Sequence, residues 1–199
     1  MSSTESASYT RTAKILHWLI AIAILAMLAI GWSFDFLPNG ETKFFLFQLH
    51  KSIGITILLL SLVRLGWRLA HRAPPLPASM PAWEQKAAHI GHILLYVVMI
   101  GMPLSGWAMV SSSPRNIPTI LYGVLSWPHL PILSTLDNKK EVSHMFSNIH
   151  GVTAYILAAL VAGHAAAALK HHFIARDDIL LRMTPRFCAR FLNFLRGQK

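Results

Sequence analysis

Residues 150–164 read HGVTAYILAALVAGH, and this stretch decides the fold. A histidine stands at each end, and every residue between them is apolar, aromatic or small. The stretch overlaps an apolar run at 152–169, close to the roughly 20 residues that a helix needs to cross a bilayer core. Ionisable side chains inside such a run are costly and therefore indicate a function.

Three further apolar runs indicate that the whole chain is built for lipid. They cover residues 15–34, 53–69 and 90–110. Only 13% of the 199 residues are charged, whereas soluble domains carry about 25%. We therefore predict an all-α integral membrane protein, a four-helix transmembrane bundle. The predicted helices span residues 10–34, 45–69, 82–110 and 142–172, the third with a kink at Pro103, and no strand of consequence is expected.

The basic residues are unevenly distributed, which predicts the topology. Thirteen of the 18 Lys and Arg residues lie in the N-terminal segment, the 64–86 connection and the tail from residue 170. The positive-inside rule then places both termini in the cytoplasm. We call the end of the bundle that carries the termini the inner end and the opposite end the outer end. The chain has a net charge of +10. The distribution of its basic residues argues that this charge binds membrane lipid and not nucleic acid.

Three regions follow from this reading. Residues 1–8 are predicted to form a disordered tail, residues 9–175 the transmembrane domain, and residues 176–199 a basic amphipathic tail. The last region interleaves Arg with Phe and Leu, a pattern that favours binding to the anionic inner leaflet.

Four histidines are predicted to pair at two depths. His150 and His164 are 14 residues apart, so on a helix they differ by about 40° in direction and by about 21 Å in height. His17 lies near the inner end of the first span, level with His164. His50 lies near the outer end of the second span, level with His150. Two layers of facing imidazoles are what bis-histidine ligation of two haems requires.

Simpler explanations exist for each feature taken alone. A single intramembrane histidine is explained by a hydrogen bond to a neighbouring carbonyl, but such histidines have no reason to match in depth. Gly54, Gly151 and Gly163 leave room for a flat macrocycle near the histidines, and ordinary small-residue packing between helices explains them equally well.

Several motifs together resemble the bacterial cytochrome b561 family. They are HW at 17–18, LHKSIGI at 49–55, AHIGHILLYVVMIGMPLSGW at 88–107, HGVTAYILAALVAGHAAAALKHHF at 150–173 and LLRMTPR at 180–186. The resemblance covers residues 9–186, whereas the outer loop and the tail beyond it are not matched. It implies a multi-pass protein of the bacterial inner (cytoplasmic) membrane, similar to the b-type subunits of hydrogenases and formate dehydrogenases. It also implies two haem b groups ligated by His17, His50, His150 and His164.

Three other histidines have weaker expected roles. His89 and His92 lie three residues apart on one helix face, and the family shows both. Each is expected to contact a haem propionate or a quinone, or simply to lie at the interface. His171 follows His164 by seven residues, hence on nearly the same face, and is our candidate hydrogen-bond donor to a quinone.

Four cations suit haem propionates, which attract Arg and Lys. Arg64 and Arg68 are placed for the inner haem, and Lys51 and Arg115 for the outer one. Snorkelling towards lipid phosphate explains each of them equally well.

Transmembrane electron transfer linked to ubiquinone is the leading functional hypothesis. The resemblance adds a narrower form, in which an outer-side donor, superoxide or a redox protein, supplies the electrons. The alternative is a haem-bearing membrane anchor for a partner dehydrogenase, with the 111–140 loop as its docking surface. A histidine-lined metal transporter is disfavoured because the four apolar runs contain no Asp or Glu, and an intramembrane zinc protease because H-E-x-x-H is absent.

Overall fold

Four long helices dominate the structure, a computed structural model that describes residues 8–197. Each is long and apolar enough to cross a membrane, which confirms the predicted bundle. They are α1 (Arg11–Ser33), α2 (Glu41–Ala70), α3 (Ala82–Ser111) and α5 (Lys139–Lys170), the last continued by a π-helical turn (His171–Ala175). The shorter elements are β1 (Thr119–Leu121), β2 (Leu125–Trp127), α4 (Pro131–Ser134), α6 (Ile179–Met183) and α7 (Arg186–Leu195).

Local chemistry explains where the long helices begin and end. The Thr10 side chain caps α1 by accepting a hydrogen bond from the Ala13 amide. Helix α2 begins four residues before the predicted start, with Glu41 in its first turn, where a negative charge complements the helix dipole. The proline-rich segment 71–81 then separates α2 from α3, because proline lacks the amide that a helix needs.

The interior between the helices is apolar at mid-height. Ile20, Ile24 and Leu28 of α1 pack with Ile57 of α2, Met99 of α3 and Leu157 of α5. Leu157 of α5 lies seven residues from both His150 and His164, so this layer separates the two histidine levels. Many large apolar side chains remain exposed on the surface of the bundle. In a membrane these side chains contact lipid chains, which are as apolar as they are, so their exposure has no hydrophobic cost.

The outer connection between α3 and α5 contains a β-hairpin that the sequence reading missed. Strands β1 and β2 are antiparallel, with Thr119 opposite Trp127 and Leu121 opposite Leu125. Tyr122 and Gly123 both have positive φ, 52° and 76°, the backbone conformation of a type I′ turn. Each strand is only three residues long, too short for alternation to reveal it in the sequence.

Both ends of the described chain meet at the same end of the bundle. The Ser8 hydroxyl and the Tyr9 amide donate to Arg182 O, at 3.1 and 3.3 Å. The Trp18 indole nitrogen donates to Met183 O at 3.0 Å. An even number of spans requires this arrangement, and which side of the membrane it faces stays a prediction.

The basic tail forms a helix that docks on the end of α5. His172 is fully buried, and its Nε2 lies 3.2 Å from Leu192 O of α7. Arg196 donates to Asp177 O at 2.9 Å. Residues 198–199 of this tail, and residues 1–7 of the predicted disordered N-terminal tail, lie outside the described residues.

Candidate functional site

The outer pair of histidines meets across the bundle. His50 of α2 and His150 of α5 have their ring centroids 6.1 Å apart. Metal–imidazole bonds are about 2.0 Å long, so two rings on opposite sides of one iron lie roughly 6 Å apart, centroid to centroid. The observed separation fits one bis-histidine iron.

Hydrogen bonds around His150 leave its other nitrogen for a metal. Nδ1 lies 3.1 Å from Met102 O, and because a carbonyl only accepts, Nδ1 must carry the proton. The Ser105 hydroxyl, 3.2 Å from the same nitrogen, donates to Met102 O at 2.7 Å. The Nε2 lone pair is therefore available, which is how a ligating histidine is usually oriented.

A largely apolar cleft surrounds the outer pair. Its empty volume is about 800 Å³, open solvent included. Besides the two histidines, the walls comprise residues of all four long helices together with Thr119 and Trp127 of the hairpin. Two polar atoms in its walls, His50 Nδ1 and Trp127 Nε1, are buried without a hydrogen-bond partner among the described residues. Such orphaned polar atoms in an apolar cleft fit a bound group that carries acceptors, as haem propionates do.

Two glycines allow the outer rings to approach the backbone. A Cβ on Gly106 would lie 3.0 Å from His150 Cε1, and one on Gly31 would lie 3.5 Å from His50 Cε1. The three glycines singled out from the sequence do not contact a histidine ring, and the room that they leave for a macrocycle stays a prediction. Gly54 faces Met27, and Gly151 and Gly163 face open space.

The inner layer contains three histidines. His17 of α1 and His164 of α5 have ring centroids 6.1 Å apart, the same spacing as in the outer pair. His92 of α3 lies 5.7 Å from His164. His92 therefore lies beside the inner pair, where it could contact a bound group as predicted. His89, three residues away on the same helix, is exposed.

Two arginines lie beside the inner layer, as predicted. Arg64 is close enough to His17, His92 and His164 to interact with all three electrostatically, and it donates to Ala13 O at 3.3 Å. Arg64 and Arg68 line a second cleft, of about 790 Å³ of empty space, with the proline-rich loop and the N-terminal segment. This positive surface suits a carboxylate such as a haem propionate.

The two outer cations are placed differently. Lys51 lines the outer cleft, and its ammonium donates to Pro118 O at 2.7 Å. Arg115 is exposed in the outer loop and is not among the described residues that line this cleft. The structure thus brings Lys51, but not Arg115, to the outer pair.

His171 is held between two carboxylates at the inner end of α5. Its Nδ1 lies 2.6 Å from Asp177 Oδ2, and its Nε2 lies 3.4 Å from Glu84 Oε2. Lys170 makes a 2.6 Å ion pair with the other oxygen of Glu84. The sequence reading missed both acids, because neither lies in an apolar run.

Comparison with known proteins decides the family. The profile described as "Prokaryotic cytochrome b561" matches residues 8–186. This chain belongs to the prokaryotic cytochrome b561 family. The chain is 33% identical to "Cytochrome b561 homolog 1" of Escherichia coli (strain K12), over 89% of this chain and 97% of that protein.

Two further relatives span most of the chain. "Cytochrome b561 homolog 2" of Escherichia coli (strain K12) is 32% identical over 84% of this chain and 86% of its own. The "Probable superoxide oxidase CybB" of Yersinia pestis is 27% identical over 86% of this chain and 92% of its own. Family membership and the four apolar helices identify a multi-pass bacterial membrane protein that binds b-type haem and transfers electrons.

Proposed function

We propose that this protein carries single electrons across the bacterial inner membrane between an outer-side donor and ubiquinone. It does so by holding two haems b, one between His50 and His150 and one between His17 and His164. The observation that carries the proposal is the equal 6.1 Å spacing of two histidine pairs, about 21 Å apart along α5. When bound, each haem supplies reversible one-electron chemistry.

The protein's own residues position and insulate these groups. Met102 and Ser105 fix the tautomer of His150, and the apolar layer around Leu157 keeps water from the space between the two levels. The two imidazoles of each pair would hold one haem, and the haem would supply one-electron transfer to substrates that reach the exposed edge of its site. The positive-inside distribution supports an orientation with the layer of His17 and His164 towards the cytoplasm.

Ubiquinone reduction needs protons as well as electrons, and His171 is placed to handle them. Its ring can donate to both Asp177 and Glu84 only when both nitrogens carry a hydrogen. The contact with Glu84 is the longer of the two, at 3.4 Å. We propose that Nε2 leaves Glu84 to donate to a quinone carbonyl, while Asp177 keeps the ring in place.

A narrower proposal concerns the electron donor. In this form two superoxide anions each lose one electron to become O₂, and ubiquinone takes up two electrons and two protons to become ubiquinol. The name of the Yersinia pestis relative supports it, and so does the cation Lys51 in the outer cleft. Four carboxylates in or next to the outer connections reduce the net positive charge at the outer end and so weaken the attraction of an anion. They are Asp35, Glu41, Asp137 and Glu141.

Anaerobic reoxidation of the purified protein tests the proposed function. We expect two b-type haems per chain and full reoxidation of the dithionite-reduced protein by a short-chain ubiquinone. His171→Ala should slow this reoxidation about 100-fold or more, the loss expected for a positioned proton donor, without loss of haem. His144→Ala, on the outer turns of the same helix, is the matched control. Haems that stay reduced in the presence of ubiquinone would contradict the quinone link.

A further inference from the structure

The hairpin of residues 117–128 follows the outer part of α2 through a ladder of hydrogen bonds. Gln48 and Lys51 donate to Pro118 O, at 3.1 and 2.7 Å. The Ile120 amide donates to Gln48 Oε1 at 3.5 Å. Ser52 then accepts a hydrogen bond from the Tyr122 amide at 3.0 Å. Its single hydroxyl proton is shared between Gln48 O of its own helix, at 2.9 Å, and Ile120 O of the hairpin, at 3.4 Å.

The spacing of the two elements explains why this ladder closes. Alternate residues of a strand are about 6.6 Å apart, and residues four apart on a helix rise about 6 Å. The side chains of α2 therefore lie opposite alternate residues along β1 and its two ends: Gln48, Ser52 and Thr56 opposite residues 118, 120 and 122. The last rung is the 2.7 Å hydrogen bond between the Thr56 and Tyr122 hydroxyls.

This ladder satisfies the strand edge that would otherwise require water. The Ile120 and Tyr122 amides donate to side chains of α2 and therefore point away from β2. In an antiparallel pair the backbone groups of successive residues point alternately, so those of residues 119 and 121 face β2. Pro118 has no amide to satisfy, and side chains of α2 bond to the Pro118 carbonyl, to both backbone groups of Ile120 and to the Tyr122 amide. A strand edge paired in this way is suited to a non-aqueous position, where unpaired backbone groups are costly.

The surface that the hairpin turns outward is apolar. Residues 117–128 read IPTILYGVLSWP and contain no charge. Val124 is 89% exposed, Leu125 59% and Tyr122 57%. A contiguous apolar surface of this kind on a membrane protein needs a covering partner.

The depth of the hairpin identifies that partner. Tyr122 is bonded to Ser52, immediately before the apolar run at 53–69, and to Thr56, one turn inside it. The tip therefore lies level with the beginning of the lipid-facing part of α2. Trp107, whose indole donates to Pro128 O at 2.9 Å, adds the aromatic character of a membrane interface.

We propose that the hairpin is seated in the outer leaflet, with Val124 and Leu125 inserted among lipid chains. The hairpin is then a membrane-embedded wall, not a loop in water. Because Thr119 and Trp127 line the outer cleft, this wall closes the side of the cleft that faces lipid. The inference concerns lipid contact alone and stands whether or not the proposed electron donor and acceptor are correct.

Spin-label accessibility in vesicles tests this placement. Val124→Cys is made in a Cys188→Ser background and labelled in vesicles of phosphatidylethanolamine and phosphatidylglycerol that contain only the purified protein. Collisions with O₂, which concentrates in lipid, are compared with those of a water-soluble nickel chelate. Val152→Cys on α5, also exposed, is the lipid reference, and Asn39→Cys in the α1–α2 turn is the aqueous reference.

We expect the O₂-to-nickel ratio at residue 124 to match that at residue 152 and to exceed that at residue 39 severalfold. A ratio equal to that at residue 39 would overturn the proposal. So would spin–spin broadening at residue 124 that disappears on dilution with unlabelled protein, because that result assigns the surface to a second copy of the chain.

A second variant tests the ladder separately. Gln48→Ala with Ser52→Ala removes the side chains that serve Pro118, Ile120 and Tyr122. We expect the label at residue 124 to become more mobile and its O₂-to-nickel ratio to fall. An unchanged ratio and mobility would show that α2 does not hold the hairpin at this depth.

Discussion

The outer and inner histidine pairs have the same ring separation of 6.1 Å, but their surroundings differ. The outer pair lies in an apolar cleft in which His150 is fixed by Met102 and Ser105. The inner pair has a third histidine and Arg64 beside it. Both sites fit one bis-histidine iron, but the inner one has a third imidazole and an arginine beside it, whereas the outer one has the Lys51 ammonium in an otherwise largely apolar cleft.

This difference matches the two tasks of a quinone-linked electron carrier. An outer electron donor that gives up no proton needs only access to the edge of the site. A quinone needs protons, and His171 with its two carboxylates lies at the inner end. Four experiments test the contrast, beginning with the largest expected effect.

A larger side chain at residue 106 should abolish binding of the outer haem and leave binding of the inner haem unchanged. A Cβ there would lie 3.0 Å from His150 Cε1, so the two further methyl groups of Gly106→Val should push the ring away from the position in which it would hold the haem. We expect the haem-to-protein ratio to fall from two towards one. Gly101→Val, on the same helix with open space around its Cβ position, should keep both haems. Equal loss in both variants would point to a general packing defect.

His92 tests whether the inner pair is chosen correctly. It lies as near to His164 as His17 does, so the ring distances alone do not exclude it as the ligand. We expect His92→Ala to keep two haems and to change only the inner midpoint potential, with His89→Ala as the control. If His92→Ala loses a haem and His17→Ala does not, the ligands of the inner layer must be reassigned.

Removing a cation should lower the potential of the nearer haem only. A positive charge favours the reduced, less positive iron, so Arg64→Met should lower the inner midpoint. We expect a shift of roughly 20–60 mV, equivalent to about 0.5–1.4 kcal/mol for one electron. Lys51→Met should shift the outer midpoint instead. Spectroelectrochemical titration measures both, and equal shifts of the two haems would remove the electrostatic distinction between the layers.

The smallest expected effect concerns the outer loop at acidic pH. Burial lowers the pKa of His129 from its usual 6.5, and the Lys51 and Lys139 charges lower it further. The neutral form is the one compatible with the fold, so its contribution is complete above about pH 6.5 and is lost as the pH falls through the lowered pKa. His129→Gln should reduce the loss of thermal stability between pH 7.5 and 5, by at most about 2 °C in Tm. An identical pH dependence in both proteins would contradict this role.

The sequence was sufficient for the spans and the layers because both depend on helical geometry. The four apolar runs predicted the four helices, and the 14-residue interval predicted that His150 and His164 belong to different layers. The ring contacts His17–His164 and His50–His150 agree with the predicted pairs. Their role as haem ligands remains a proposal.

Features that depend on contacts between distant segments could not be predicted in this way. Gly106 approaches His150 across a helix interface, so its importance has no local signal, and the sequence favoured Gly54, Gly151 and Gly163 instead. Glu84 reaches His171 only because α3 and α5 pack side by side. For the hairpin, Tyr122–Gly123 between apolar residues was a usable turn signal, but the strands are too short to confirm it.

Haem content of ligand variants tests the central claim most directly. Each single alanine variant of the four proposed ligands should retain one haem: His17→Ala, His50→Ala, His150→Ala and His164→Ala. The double variant His17→Ala/His164→Ala should also retain one, because both changes affect the same layer, whereas His17→Ala/His150→Ala should retain none. If His17→Ala/His164→Ala loses both haems while His17→Ala/His150→Ala keeps one, the assignment of ligands to two layers is wrong.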